Sequence, residues 1–470
     1  MGWTTASLLL LAGANDWRQR LVPTTGALEV PTTYSSTTSA NLAPRKRHAS
    51  ELLRHPRVFI YTSTKAAYRV VTYFDKMCNA SARDLSRLTD LVFGRRIAAA
   101  LPGTLSDVRD TGSYGTGRML LFRLLVQASE RRTMDPRTAD LFLIAVGSPR
   151  SSRLRTCQHL LGKGLSRSYP HLSLDTASRH VIASAGDIDT VLTYCFSQLG
   201  GDASGAVHPD AVALLELMPN IIHEQQPIFD DDPPIVPSHL SRVVVPGSRT
   251  GARTFTVPFP SGAATTMAAI AELRARVHSA REVLLTYVGS VRASPGVRTT
   301  IRQKIAVDCK RRGRPACNLL QVEPGEAPSA LVTFLAKRAS TFCAEPGGLN
   351  EIRRGLADAF LCGCIPVVFL PAHRLPALWP LHGHSWINDS LVHVDPRAFD
   401  PATGAADLVE LLSAIPPDRV ARMQRTLAEN VVRLAYIRDV VRRDEDDAID
   451  VSLKGWAFGL PPGSTHRSAL

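Results

Sequence analysis

The stretch GLADAFLCGCIPVVF, Gly355–Phe369, narrows the choice of fold more than any other. Leu356, Ala359, Phe360 and Leu361 recur at helical spacing, Gly363 stops the helix, and the apolar run beginning behind Cys364 reads as a strand. A strand without a polar side is covered on both faces. A helix running straight into it is a crossover, the connection that parallel neighbours require.

The same alternation runs along the chain. RVFIYT (57–62), ADLFLIAVG (139–147) and RHVIASAGD (179–187) read as strands, and Gly117–Arg132 carries apolar residues at helical spacing. The pattern restarts with the strand REVLLTYVGS (281–290) and the helix GVRTTIRQKIAVDCKR (296–311). It continues with the strand CNLLQV, the helix SALVTFLAKRAS, the strand TFCAE and the helix NEIRRGLADAFL, and the last stretch to Arg443 reads as helical. A Pro- and Asp-rich loop, 226–238, lies in a hinge near 226–262. The expected fold is α/β, with two Rossmann-like domains facing a cleft. Residues 1–54, rich in Thr, Ser and Pro, form a stem or signal and linker. Residues 55–262 form the N-terminal domain, 263–440 the C-terminal domain and 441–470 a polar tail. Ala6–Ala14 resembles a short secretory signal core without its positive flank, and no segment reaches the ~20 residues that span a bilayer.

Lys and Arg total 55 against 42 Asp and Glu, a net charge of +13 that suits anionic partners. Biased codon usage, favouring Arg over Lys, would produce the same surplus. Without a zinc finger, an RNA-recognition signature or a dense basic helix, nucleic acid is not expected as a partner. The eight cysteines contain no CxxC pair, so a structural zinc site is not expected. Cys309 and Cys317 are close enough for a small looped disulfide, or are buried thiols. Asn79-Ala80-Ser81 and Asn388-Asp389-Ser390 are glycosylation triplets and permit a secretory route.

Ligands of doubly wound sheets bind beyond the carboxyl ends of the strands. FCAEPGGLNEIRRGLADAFLCGCIPV (342–367) is a strand, a glycine turn and a helix in that order. Gly347 and Gly348 let backbone approach a phosphate at the helix N-terminus, and Arg353 and Arg354 in its early turns supply charge. Asp358 accepts from ribose hydroxyls, or forms an i, i+4 ion pair with Arg354. Gly289 and Ser290 end an earlier strand and Arg292 follows them, as a phosphate contact or as a surface arginine.

These residues resemble the exostosin family, glycosyltransferase family 47, and its plant xyloglucan galactosyltransferase branch in particular. STFCAEPGG followed by IRRGLADAFLCGCIPVVF is similar to that branch's FCL-x-P-x-G, T-R-R-S, F-D-S and GCIPVFF elements. LLTYVGSVR with VRTTIRQKIAVDC, VPFP (257–260) and RTMDPRTADLFLIAV resemble further elements, over roughly residues 56–440. The resemblance implies a GT-B-like fold and inverting transfer from a UDP-sugar to a glycan or polysaccharide, in the Golgi or secretory lumen. It implies no obligatory metal and no cofactor beyond the donor. The donor would meet Gly289, Ser290, Arg292, Glu345, Gly347, Gly348, Arg353, Arg354 and Asp358. His180, Asp187, Asp189 and Glu224 are candidates for the base that takes the acceptor proton. Galactose is the first sugar expected. Two departures stand out: ASRH (177–180) replaces Gly-Arg-Asp-His, and Gly355 stands where a serine often follows the arginines. The first motivates the alternative of an inactive partner to a homologous glycosyltransferase subunit. Asp187-Ile188-Asp189 and Asp444-Glu445-Asp446 have the form of metal-holding DxD triplets and are ranked below the metal-free reading.

Overall fold

The computed structural model describes residues 55–61, 82–97, 108–111, 116–127, 129–146, 169–173, 175–184, 220–222, 254–277, 279–291, 297–322, 329–347, 352–370, 375, 378–383, 386–396, 399, 407–439 and 445–458. All belong to one unit, Leu42–Leu470. The N-terminal stem and most of the expected hinge lie outside the described residues.

The N-terminal half builds a parallel sheet from β1 (Val58–Ile60), β2 (Arg132–Thr133), β3 (Leu141–Val146) and β4 (His180–Ser184). The order is β2-β1-β3-β4. The apolar run 139–147 becomes β3, its residues Leu141–Ile144 buried as the lack of a polar face requires. Helix α1 (Ala82–Phe93) and helix α2 (Thr116–Phe122) add Val92, Phe93, Met119 and Leu120 to its core.

The C-terminal half builds a second parallel sheet from β5 (Val283–Gly289), β6 (Cys317–Gln321), β7 (Ser340–Glu345), β8 (Ile365–Val368) and β9 (Val392–His393). The order is β6-β5-β7-β8-β9. Helix α3 (Met267–Ala275) precedes this sheet, with its N-terminus capped by Thr266. The crossovers are α4 (Val297–Arg312), α5 (Ala330–Arg338) and α6 (Arg354–Leu361). Ile301 and Ile305 of α4 pack with Leu285, Phe342 and Val367 in one cluster. Phe334 of α5 and Leu356 and Phe360 of α6 pack with Ile270 and Leu427 in another. Two disulfides brace the sheet: Cys309–Cys317 joins the end of α4 to β6, and Cys343–Cys364 joins β7 to the residue before β8. The first was open in the sequence and the second was not foreseen. Cys362 remains a buried free thiol. Gly363, at φ +71, reverses the chain after α6. Its N–H donates to Phe360 and that of Cys364 to Ala359, satisfying the helix's last carbonyls. The two parallel sheets with their crossover helices give the α/β class expected from the alternation.

The C-terminus departs from expectation. The helical reading to Arg443 is broken: α7 spans Pro417–Asn430, and beyond a 3-10 turn Ala435 is extended. Residues 445–458, expected in a polar tail, hold a buried helix α8 (Ala448–Phe458) that packs into the core of the N-terminal half. The polarity of the run Asp444–Asp447 misled because Asp447 is paired inside the fold. Arg123, in a π turn after α2, donates to Asp450 at 3.1 and 3.2 Å, to the Ile437 carbonyl at 3.0 Å, and to Asp447. Arg131 also pairs with Asp450, and Asp447 is completely buried. Tyr436 donates to the Pro258 carbonyl at 2.7 Å, within the buried VPFP segment.

Removing the cation of a buried pair strands its carboxylates. Arg123→Leu is expected to destabilise the full chain by about 3–5 kcal/mol in urea denaturation. Adding Asp447→Asn and Asp450→Asn to that variant should recover part of the loss. A single variant as stable as the parent would show that the network does not anchor α8.

Candidate functional site

The chain order in the C-terminal sheet is second, first, third, fourth, fifth. The chain therefore leaves β5 toward one side and, after β6, crosses to β7 on the other. The carboxyl ends of β5 and β7 are therefore the topological switch point, the place where open α/β sheets bind ligands. Gly289 and Ser290 close β5, and Glu345 and Gly347 close β7, so four of the sequence-expected donor residues meet there. Gly347 adopts φ +76, which only glycine takes without strain.

Both loops are held from below. The Tyr287 hydroxyl donates to the Ser290 carbonyl at 3.0 Å, and the buried Arg302 of α4 donates to the Gly347 carbonyl. Burial pushes the Tyr287 phenol up to about 12, so it stays a neutral donor at physiological pH. Glu345 is paired with Lys337, a buried lysine on α5 that also donates to the Gly355 carbonyl at 2.7 Å. Burial raises the Glu345 carboxyl, with the Lys337 ammonium pulling the other way. A Cβ on residue 355 would land on the Glu345 carboxylate, so glycine there lets the pair tuck under the first turn of α6.

The arginines separate. Helix α6 begins at Arg354, four residues later than the reading from Asn350, because Arg353 is extended and occupies the N-cap. Its side chain is exposed, and its charge acts on both Glu345 and Tyr287. Arg354 instead donates to the Thr111 carbonyl of the N-terminal half and lies 3.6 Å from Asp358. Of the two readings of Asp358, the ion pair is the one realised. Its side chain is buried, which corrects its expected placement open to a ribose.

His180 is a second correction. It is fully buried and stacks on Phe142 at 4.5 Å between ring centroids. Nδ1 lies 2.8 Å from the Thr176 carbonyl, which must accept, so Nδ1 carries the proton and Nε2 accepts from the Tyr61 hydroxyl at 2.9 Å. Both ring nitrogens are used inside the core, so His180 is not placed to take an acceptor proton. Asp187, Asp189, Glu224, Arg292 and Gly348 lie outside the described residues.

Among the described residues, the group with metal-ligand spacing is His55, Asp446 and Asp450. Arg123 and Arg131 pair with Asp450, and Lys454 holds Asp446 at 2.8 Å. These cations already satisfy the carboxylates, so the cluster is an ion-pair network. Glu445, of the second DxD-like triplet, pairs with Arg274 at 3.0 Å.

Tyr287, Arg302 and Lys337 were missed as site residues. Lys337 had a signal: it follows Thr333 and Phe334 at i+4 and i+3, on the face of α5 that is buried.

A family model, the Exostosin GT47 domain, matches residues 53–379. A probable xyloglucan galactosyltransferase of Arabidopsis thaliana, GT15, is 25% identical over 229 residues, 46% of this chain and 46% of that protein. The xyloglucan galactosyltransferase MUR3 of the same plant is 27% identical over 224 residues, covering 46% and 35%. Its xyloglucan-specific galacturonosyltransferase 1 is 32% identical over 91 residues, covering 19% and 13%. The matched stretches span less than half the length of each relative. Among solved structures, sucrose-phosphate synthase of Thermosynechococcus elongatus aligns with a TM-score of 0.31 at 12% identity, covering 81% of this chain and 95% of that one. Arabidopsis thaliana UGT89C1 complexed with UDP aligns at 0.30 and 12%, covering 86% and 98%.

Burial holds His180 and His382 neutral down to about 3, against 6.5 for an ordinary imidazole. Between those values the unfolded chain binds protons that the fold excludes. Their stabilising contribution is therefore complete above pH ~6.5 and declines as pH falls, by about 1.4 kcal/mol per pH unit for each histidine. His180→Gln should make unfolding free energy less pH-dependent by about one proton between pH 4 and 6. An unchanged slope would show that this imidazole titrates freely.

Proposed function

The chain belongs to the exostosin GT47 family, and from that premise we propose that it is an inverting glycosyltransferase, moving a sugar from a UDP-sugar to a polysaccharide or glycan acceptor. A xyloglucan-type acceptor and a galactosyl donor follow from the similarity to the xyloglucan galactosyltransferases. The observation that carries the reading is the meeting of Gly289, Ser290, Glu345 and Gly347 at the switch point of the C-terminal sheet, beside the exposed guanidinium of Arg353.

In this reading an acceptor hydroxyl attacks the anomeric carbon on the face opposite UDP. The new C–O bond forms as the bond to the diphosphate breaks, and a base removes the hydroxyl proton. Arg353 and the backbone amide of Gly347 offset the charge that develops on UDP, a role that calls for no metal. Glu345, held by Lys337 under the first turn of α6, fixes the end of β7 beside the donor. The base is assigned to Asp187 or Asp189, which follow the last residue of β4, Ser184, by three and five positions. The two disulfides support a secretory, oxidising compartment such as the Golgi lumen.

Titration calorimetry with UDP tests the site, and product formation from a panel of UDP-sugars tests the activity. Arg353→Ala is expected to weaken UDP about tenfold with stability unchanged, the loss of one charge-assisted contact. Unchanged affinity would remove Arg353 from the site. Arg354→Ala should chiefly lower stability through the lost tie to Thr111. Tyr287→Phe, which removes the hydroxyl's hydrogen bond to the Ser290 carbonyl, should raise the donor KM about fivefold and change kcat less. UDP binding without product from any donor and acceptor pair would favour the inactive-partner alternative.

A further inference from the structure

We propose that Asn388, presented outward by a 3-10 turn whose neighbouring side chains are buried, carries an N-linked glycan. The proposal does not depend on the transferase reading, only on passage through a glycosylating compartment.

Asn388-Asp389-Ser390 is the acceptor triplet of N-glycosylation. In the fold the turn Ile387–Ser390 packs against α7, and Trp386, Ile387, Ser390 and Leu391 are buried while Asn388 and Asp389 are exposed. The apolar residues fix the turn, and Asn388 is left exposed to solvent. A buried asparagine would have ruled the site out, since an attached oligosaccharide has no place in a close-packed interior.

Two further observations favour occupancy. Cys309–Cys317 and Cys343–Cys364 are disulfides, which form in the compartments a secreted chain traverses. The glycan would also spare the candidate site. Asn388 precedes β9, and β9 runs parallel to β8, so the chain enters this edge strand from its amino end. The candidate site lies at the opposite, carboxyl ends of β5 and β7.

The fold also dictates when transfer occurs. The Ser390 hydroxyl is fully buried and donates to the Ile387 carbonyl at 3.0 Å and the Trp386 carbonyl at 3.3 Å. A transferring enzyme that reads that hydroxyl must meet the triplet before the turn closes. In the step, the Asn388 amide nitrogen forms a bond to the anomeric carbon of a lipid-diphosphate-linked oligosaccharide. The carbon–oxygen bond to the diphosphate breaks, the lipid diphosphate leaves, and the amide gives up one proton.

The test is to produce the full chain behind a secretory signal in a eukaryotic host and analyse the disulfide-bonded product by peptide mass spectrometry. The expected result is a glycosylated peptide containing Asn388, converted to aspartate by peptide N-glycosidase. Asn388→Gln should remove one glycan's mass from the intact protein, and Ser390→Thr should keep it. The peptide mapping on the unaltered protein decides even where a variant fails to fold. Recovery of Asn388 unmodified from the secreted, disulfide-bonded chain would overturn the proposal, whether or not Asn79 is occupied.

Discussion

Parallel pairing of β5 with β7, with β6 on the outer flank of β5, is the constraint from which the candidate site follows. Parallel strands end at the same side, so the loops after Gly289 and Glu345 are forced into one neighbourhood without any contact between them in sequence. Because the chain crosses from one side of β5 to the other, the helices leave those two strands in opposite directions, the arrangement at which open α/β sheets bind ligands. The chemistry assigned to Arg353, Glu345 and Gly347 rests on that topology.

The second theme is how the fold manages charge in places without water. Lys337 and Glu345 lie under α6, and Arg123 faces two carboxylates between the halves. Buried pairs of this kind add little net stability compared with apolar replacements, yet removing one partner is costly. Their use is positional. Lys337 fixes the Glu345 carboxylate and the Gly355 carbonyl in the first turn of α6 together, and Arg123 fixes α8 against the N-terminal core. Gly355 belongs to the same device, since a larger residue would occupy the carboxylate's place. The neutral interior polar groups follow the same rule, His180 and Tyr61 satisfying one another where water cannot.

The alternation of apolar runs and helical spacing was legible in the chain because period and run length report burial directly. Strands β1, β3, β5, β6, β7 and β8 and helices α4, α5 and α6 fall within a few residues of their expected places. The glycine stop at Gly363 and the turn at Gly347 were readable because backbone geometry limits which residue can stand there. What the sequence could not supply was any fact depending on residues far apart in the chain. Asp447, in a polar run, looks solvated until Arg123, more than 300 positions away, is placed beside it. His180 resembles a catalytic base until Tyr61 and Phe142 close around it. Arg353 and Arg354 are adjacent and alike in sequence, and only tertiary contact sends one to solvent and the other to Thr111. Local periodicity fixes which segments are strand, helix or turn, because those preferences are set within a few residues. The pairing of distant charges is decided by the assembled sheets, because only they bring such residues within hydrogen-bonding reach.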